Sequence, residues 1–229
     1  MVGNNYLEIK VTVADMCVSA GRDKSDCTLI AVSKTKPVEL LREAYDAGCR
    51  DFGENKVQEL MDKYDKLPGD IRWHMIGHLQ TIKVKYIVDK VAFVHSVDSV
   101  KLAREISKEA CKKNLTVRVL LEVNVAKEAT KYGFNAEELL ENVREIALLP
   151  GVKVEGLMTI APFVENSEDN RVYFKQLKQL AVDISAKNID NISMNILSMG
   201  MSGDYLVAVS EGATYVRVGS SIFGNRTYS

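Results

Sequence analysis

Lys34 closes the most apolar run near the start of the chain. In "TLIAVSKTKPVE", residues 28–39, Leu29, Ile30, Ala31 and Val32 lead through Ser33 to an ammonium group. Side chains alternate faces along a strand, so Ile30, Val32 and Lys34 share one face while Leu29, Ala31 and Ser33 share the other. Withdrawing an ammonium from water disfavours its charged form, so the pKa of a lysine held there should fall. Tuned to ~7–8, a lysine becomes an amine nucleophile suited to condensation with an aldehyde. The plain alternative is a lysine that ends a strand and snorkels to solvent. Lys36 has the same parity, but it lies beyond the apolar run and directly before Pro37.

Two late segments are suited to an anion. "LSMGMSGDY" (197–205) carries small residues into an expected helix start at Ser202 to Asp204, and "VRVGSSIFG" (216–224) carries Gly219, Ser220 and Ser221. Small residues let backbone N–H groups approach an anion, and a helix N-terminus adds partial positive charge. Arg217 has the same strand parity as Tyr215 and Gly219. It suits either a ligand on that face or a salt bridge among lining charges. Its donors are not lost near neutral pH, so it would leave a facing pyridine nitrogen unprotonated and the ring a weaker electron sink.

These groups are useful only if the fold brings them together. Eight short apolar runs stand out: residues 28–34, 50–54, 71–77, 91–97, 116–124, 152–160, 193–200 and 214–219. Seven are followed by a helix-like segment. "VELLREAYDAG" places Leu41, Ala44 and Tyr45 on one stripe and stops at Gly48. "SVKLAREISKEACKKN" runs from Ser99 to Asn114, and "NAEELLENVREIALLPG" opens at Asn135, a favoured N-cap. Strand–helix alternation predicts a parallel sheet covered by helices. Eight units in this length fit a closed (β/α)8 TIM barrel of class α/β, with an open doubly wound sheet as the alternative. No linker-like stretch divides residues 1–229, so one domain is expected. Before the first strand, Leu7, Val11, Ala14 and Val18 keep helical spacing, whereas Leu7, Ile9, Val11 and Val13 alternate as in a strand. A helix is expected there.

The 229 residues carry 30 basic and 31 acidic side chains, a formal net charge of −1. That balance gives no reason to expect nucleic acid or an acidic membrane as partner. Cys17, Cys27, Cys49 and Cys111 lack paired spacing, which fits reduced thiols and not a zinc site. With no leader pattern and no long apolar span, a cytoplasmic location is expected.

In such a barrel Lys34 projects into the C-terminal mouth, and the loops after strands seven and eight are where barrels most often bind phosphate. An amine for an aldehyde, a phosphate cradle and an arginine near a ring together suggest pyridoxal 5′-phosphate. "AVSKTKP", "FGENKVQE" (52–59), "WHMIGHLQ" (73–80), "GLMTI" (156–160), "LSMGMSGD" and "VRVGSSIFG" resemble, in order, the signatures of the pyridoxal-phosphate homeostasis protein family, whose barrel is similar to the N-terminal domain of alanine racemase. The resemblance implies that Lys34 forms an internal aldimine, that Ser202, Gly219 and Ser220 hold the phosphate with Ser198 as a further neighbour, that Arg217 faces the pyridine nitrogen, and that Asn55 lies at the cofactor's rim. Thr81 and Ile82 depart from the Ser-Asn often found in the family, which leaves that loop open. "TKYGF" keeps the family's Lys131–Gly133 spacing.

A racemase needs a second base, which alanine racemase takes from a separate C-terminal domain. The sequence stops at Ser229 without such a segment, and no tyrosine stands in a motif that suggests a replacement. A non-catalytic holder of the cofactor is therefore expected, monomeric, with PLP-dependent apoenzymes as partners. The rival is a barrel enzyme using the Lys34 amine, either an aldolase or a weak amino-acid racemase. His74 and His78 straddle Gly77 and do not share a helical face as a zinc pair would, so they are expected to be buried or mouth-lining, with His78 near the cofactor. "DKYDK" (62–66) suggests a solvated helix face, and Trp73 a core residue.

Overall fold

The computed structural model describes residues 1–128 and 131–224. Its eight strands are β1 (Thr28–Val32), β2 (Asp51–Glu54), β3 (Arg72–Met75), β4 (Val91–Val97), β5 (Val117–Glu122), β6 (Val152–Met158), β7 (Ile192–Met201) and β8 (Tyr215–Val218). All pair in parallel in chain order, and β8 returns to pair with β1, with Ile30 opposite Arg217. That last pairing closes the sheet and rules out the open alternative. The strands coincide with the eight apolar runs because each must be buried on both faces, which erases the alternation of a half-exposed strand.

The outer face of the sheet packs under α1 (Val2–Ser19), α2 (Val38–Asp46), α3 (Val57–Tyr64), α4 (Val100–Lys112), α5 (Leu139–Ala147), α6 (Arg171–Ser185), α7 (Tyr205–Ser210) and α8 (Ser220–Phe223). Leu29 and Ala31 join this layer with Leu41, Trp73 and Ile106. Burying a side chain of that size contributes roughly 1.5–3 kcal/mol. Helix ends follow local chemistry. Ser99 Oγ accepts from the Leu102 amide at 3.3 Å, and Gly48 leaves α2 at φ +94°, where a side chain would be strained. After β3 the covering element shrinks to a 3₁₀ turn at Thr81–Tyr86, and after β8 to the four residues of α8.

Two helix expectations need correcting. The segment before β1 is a helix, but Leu7, Val11 and Val18 lie on its exposed side, and the buried stripe is Val2, Tyr6, Ile9, Val13 and Cys17. Both stripes have helical spacing, and only the position of the barrel selects between them. Asn135 does not cap α5. Its carbonyl accepts from the Glu138 amide in a turn, and the helix begins at Leu139.

Inside the barrel, Phe93, Leu120 and Met158 form a small apolar cluster with Ala92, Ile160, Ile196 and Tyr215. Ile30, Val32 and Ile76 lie outside both apolar clusters, and polar groups share the interior with them. His74, His95, Ser198 and Arg217 are all buried there. Cys17, Cys27 and Cys49 are buried and Cys111 is exposed, and all four are free thiols. Among the described residues no helix is long and apolar enough to cross a membrane.

Candidate functional site

Just beyond β1 the chain is clamped on both sides of Lys34. Ser33 Oγ donates to Glu54 Oε1 at 2.6 Å, and Lys63 Nζ donates both to Glu54 Oε1 at 2.7 Å and to the Ser33 carbonyl at 2.8 Å. Thr35 takes a positive φ of 63°, and its amide donates to Glu59 Oε2 at 2.6 Å. A non-glycine residue holds that conformation only where its surroundings impose it. Lys34 is thus delivered from a fixed backbone. Lys63 corrects the solvated face expected for residues 62–66. It is buried, because the Glu54 carboxylate beneath it needs a partner.

Lys34 lines a cavity of about 410 Å³ at the mouth, together with Val32, Lys36, Asn55, Ile76, Ile160, Met201, Ser202, Gly203, Arg217, Gly219, Ser220 and Gly224. The expected parity holds: Ile30 and Val32 are excluded from the outer core and face inward. Among the described residues, three of the lining side chains are cationic and none is a carboxylate, a balance that favours an anion. Lys36 Nζ donates to the carbonyls of Phe223 and Gly224, at 3.2 and 2.9 Å.

Six of the seven residues singled out in the sequence meet in this cavity: Lys34, Asn55, Ser202, Arg217, Gly219 and Ser220. The two late turns touch each other, the Gly219 amide donating to Ser202 Oγ at 3.2 Å. A Cβ on Gly219 would meet the Val32 carbonyl oxygen at 3.2 Å, a tight contact that β1 would have to relieve by a few tenths of an ångström. The loop after β7 is tied down by Asp204, whose Oδ1 accepts from the Met201 amide at 2.6 Å. Asn55 Oδ1 is buried and has no hydrogen-bond partner among the described residues.

Arg217 is buried, with Nη1 donating to Ser198 Oγ at 2.6 Å and Nη2 to the Thr159 carbonyl at 2.8 Å. Loss of hydration pushes its pKa down to about 10, against the pull of Glu122 and Asp204, so it stays charged at neutral pH. Ser198 stands apart from the six. Its oxygen is buried between Arg217 and His95 and does not line the cavity. The family resemblance implied Ser198 as a phosphate neighbour, and the structure places it on β7 against Arg217 and His95.

His78 also lies elsewhere. It stacks on Tyr132 at 3.8 Å, bonds Asp98 Oδ2 at 2.8 Å and lines a separate surface pocket. The Thr81–Ile82 departure falls in the 3₁₀ turn beside that pocket, away from the Lys34 cavity. Sequence reasoning missed the Glu54–Lys63 clamp and the role of His95. The signal for the first was a glutamate ending an otherwise apolar run at "RDFGE".

Residues 18–227 match the family described as "Alanine racemase, N-terminal domain". The chain is 48% identical over 213 residues to the pyridoxal phosphate homeostasis protein of Aquifex aeolicus, covering 93% of this chain and 92% of that one. It is 37% identical to the protein of the same name in Pseudomonas aeruginosa, covering 99% and 96%. The structure of PipY from Synechococcus elongatus, solved with PLP bound, superposes with a TM-score of 0.81 at 35% identity, covering 93% of this chain and all of PipY. With the closed barrel, the ordered motifs and near full-length matches in agreement, the chain belongs to the pyridoxal phosphate homeostasis proteins, a family built on the alanine racemase N-terminal domain.

Proposed function

We propose that this protein binds pyridoxal 5′-phosphate at the barrel mouth and holds it in reserve without turning over a substrate. One observation carries this: Lys34, Arg217 and both small-residue turns line a single cavity of about 410 Å³. The residues present suit the group. Among the described residues, three cations line the cavity and suit a phosphate, and Val32, Ile76, Ile160 and Met201 offer apolar walls to a flat ring. The orphaned Asn55 Oδ1 is an acceptor in need of a donor, such as a ring hydroxyl. PipY holds PLP in its structure, and the relatives are named for its homeostasis.

When bound, the group supplies an aldehyde that condenses reversibly with a primary amine. We assign that amine to Lys34, the phosphate to Ser202, Gly219 and Ser220, the ring nitrogen to Arg217 and the rim to Asn55. Ser198 acts from behind Arg217. A charged guanidinium keeps the ring nitrogen unprotonated, which weakens the ring as an electron sink. Among the described residues, the cavity wall has no tyrosine, histidine or carboxylate to exchange a proton opposite Lys34, and this supports holding over turnover.

The test is to load the purified protein with PLP, reduce with borohydride and map the label by peptide mass spectrometry. The loaded protein is expected to be yellow, to lose that band on reduction and to carry the label on Lys34, with no exchange of amino-acid enantiomers and no cleavage of sugar phosphates. A loaded protein that is colourless before reduction, or turnover abolished by Lys34→Ala, overturns the proposal.

A further inference from the structure

The barrel interior contains a row of hydrogen bonds that the cavity alone does not account for. It starts at Arg217 in the mouth and ends at Asp51, the first residue of β2, on the barrel floor. Arg217 Nη1 meets Ser198 Oγ at 2.6 Å, and Ser198 Oγ meets His95 Nδ1 at 2.9 Å. His95 Nε2 meets His74 Nδ1 at 2.9 Å, and His74 Nε2 meets Asp51 Oδ1 at 3.1 Å. Every member is buried.

The direction of each bond follows from what its ends can do. A guanidinium only donates, so Ser198 accepts from Arg217, and with no other acceptor bonded to its hydroxyl among the described residues its own proton goes to His95 Nδ1. A neutral His95 then carries its proton on Nε2 and donates to His74 Nδ1. His74 likewise carries its proton on Nε2 and donates to the Asp51 carboxylate. Burial lowers the pKa of both imidazoles, and partners at His74 and Arg72 hold Asp51 below the usual carboxylate range despite its burial, so neutral rings ending on an anion are the stable state. An added proton on His95 Nδ1 would leave the serine proton without an acceptor in the barrel interior.

We propose that Ser198, His95, His74 and Asp51 are positioning residues for Arg217, joined in a hydrogen-bond chain of single polarity that fixes the guanidinium beneath the bound cofactor. Aligned bonds polarise one another, so the Ser198 oxygen presents more negative charge to Arg217 than an isolated hydroxyl would. The chain therefore offsets part of the cost of burying a cation whose remaining N–H groups are left for the ring. This rests on the cofactor assignment above, and its tests separate the two.

The first test needs no cofactor. The protein has only three histidines, so nitrogen-15 histidine labelling with one-at-a-time substitution assigns every ring. His74 and His95 are expected as neutral Nε2–H tautomers at pH 7. Either ring found as the Nδ1–H tautomer or as imidazolium overturns the chain.

The second test uses the loaded protein. Ser198→Ala cuts the first link and Ser198→Thr keeps the hydroxyl. His95→Phe cuts the second link, while His95→Gln can still accept at one end and donate at the other. The cut variants should bind PLP roughly tenfold more weakly, as for a lost hydrogen bond to a charged group, and shift its visible absorption band, with Thr and Gln restoring both. Phe93→Leu, which packs against the same rings off the chain, should lower thermal stability without moving the band. Wild-type protein that binds PLP normally while Ser198→Ala and His95→Phe leave affinity and band unchanged defeats the positioning role alone. Failure of the wild type to bind PLP defeats the cofactor assignment instead.

Discussion

Ile30 on β1 lies directly opposite Arg217 on β8. Closure of the sheet therefore joins the first and last strands at the point where one carries its chain on to Lys34 and the other presents its guanidinium. Two residues more than 180 positions apart become walls of one cavity. The predictions below probe that cavity and the structure that supports it.

Lys34 and Lys36 both line the mouth, but Lys36 Nζ is held on the Phe223 and Gly224 carbonyls. After loading and borohydride reduction, Lys34→Ala should lose the PLP band and the label together. Lys36→Ala should keep the label on Lys34. Peptide mapping that finds Lys36 labelled in the wild type would reverse the assignment.

Gly156 sits where β6 shifts register against β7. A Cβ there would lie 1.8 Å from the Ile196 carbonyl oxygen, a backbone atom that cannot swing aside. Gly156→Ala should therefore separate two central strands and cost more than about 4 kcal/mol, among the largest single-site effects. Urea unfolding followed by Trp73 fluorescence measures it. A loss below 1 kcal/mol is incompatible with this register.

The Glu54–Lys63 pair is buried beside Lys34, and burial raises the Glu54 pKa even with its partner present. Lys63→Met should destabilise the fold by about 3–5 kcal/mol, because it strands a carboxylate in the core. Adding Glu54→Gln to that variant should recover much of the loss, since no charge is then left unpaired. Denaturation midpoints of the two single variants and the double variant complete the cycle.

Glu122 lies under the mouth, and burial together with the nearby Asp98 pushes its pKa up to about 7, against Arg217. Its ordinary value is near 4.5, so between these limits the folded state holds more protons than the unfolded state. Stability contributed by the protonated group is full below pH 4.5 and is lost as pH rises through 7. The lowered imidazoles of His74 and His95 work oppositely, favouring the fold as pH rises toward 6.5. Comparison with Glu122→Gln isolates the first effect. The unfolding free energy of the variant relative to wild type should increase by about 3 kcal/mol from pH 4.5 to pH 8 in the apoprotein. A flat difference means that Glu122 titrates normally.

Much of this molecule was legible in one dimension. The apolar runs located all eight strands because a sheet covered on both faces buries most of its side chains. The parity of "TLIAVSK" turned Ile30 and Val32 inward, and the Gly/Ser clusters marked the two turns that line the cavity. Helix α1 shows where such reading stops. Leu7–Val11–Val18 and Val2–Tyr6–Ile9–Val13–Cys17 are both spaced for a helix, and the sequence holds no information about which side the barrel occupies.

The residues that act at a distance were not legible at all. Ser198 was named only through the family resemblance, as a phosphate neighbour, whereas β7 runs as far as Met201 and turns the serine inward against His95 and Arg217. Lys63 has the look of a surface lysine but the environment of a core residue, because Glu54 rises beneath it. Periodicity is set by neighbours along the chain, so the sequence by itself determined the strands, their inward faces and the chemical character of the mouth. Which buried polar groups pair across the barrel depends on strands that meet only once the sheet has closed, and that was decided by the tertiary structure alone.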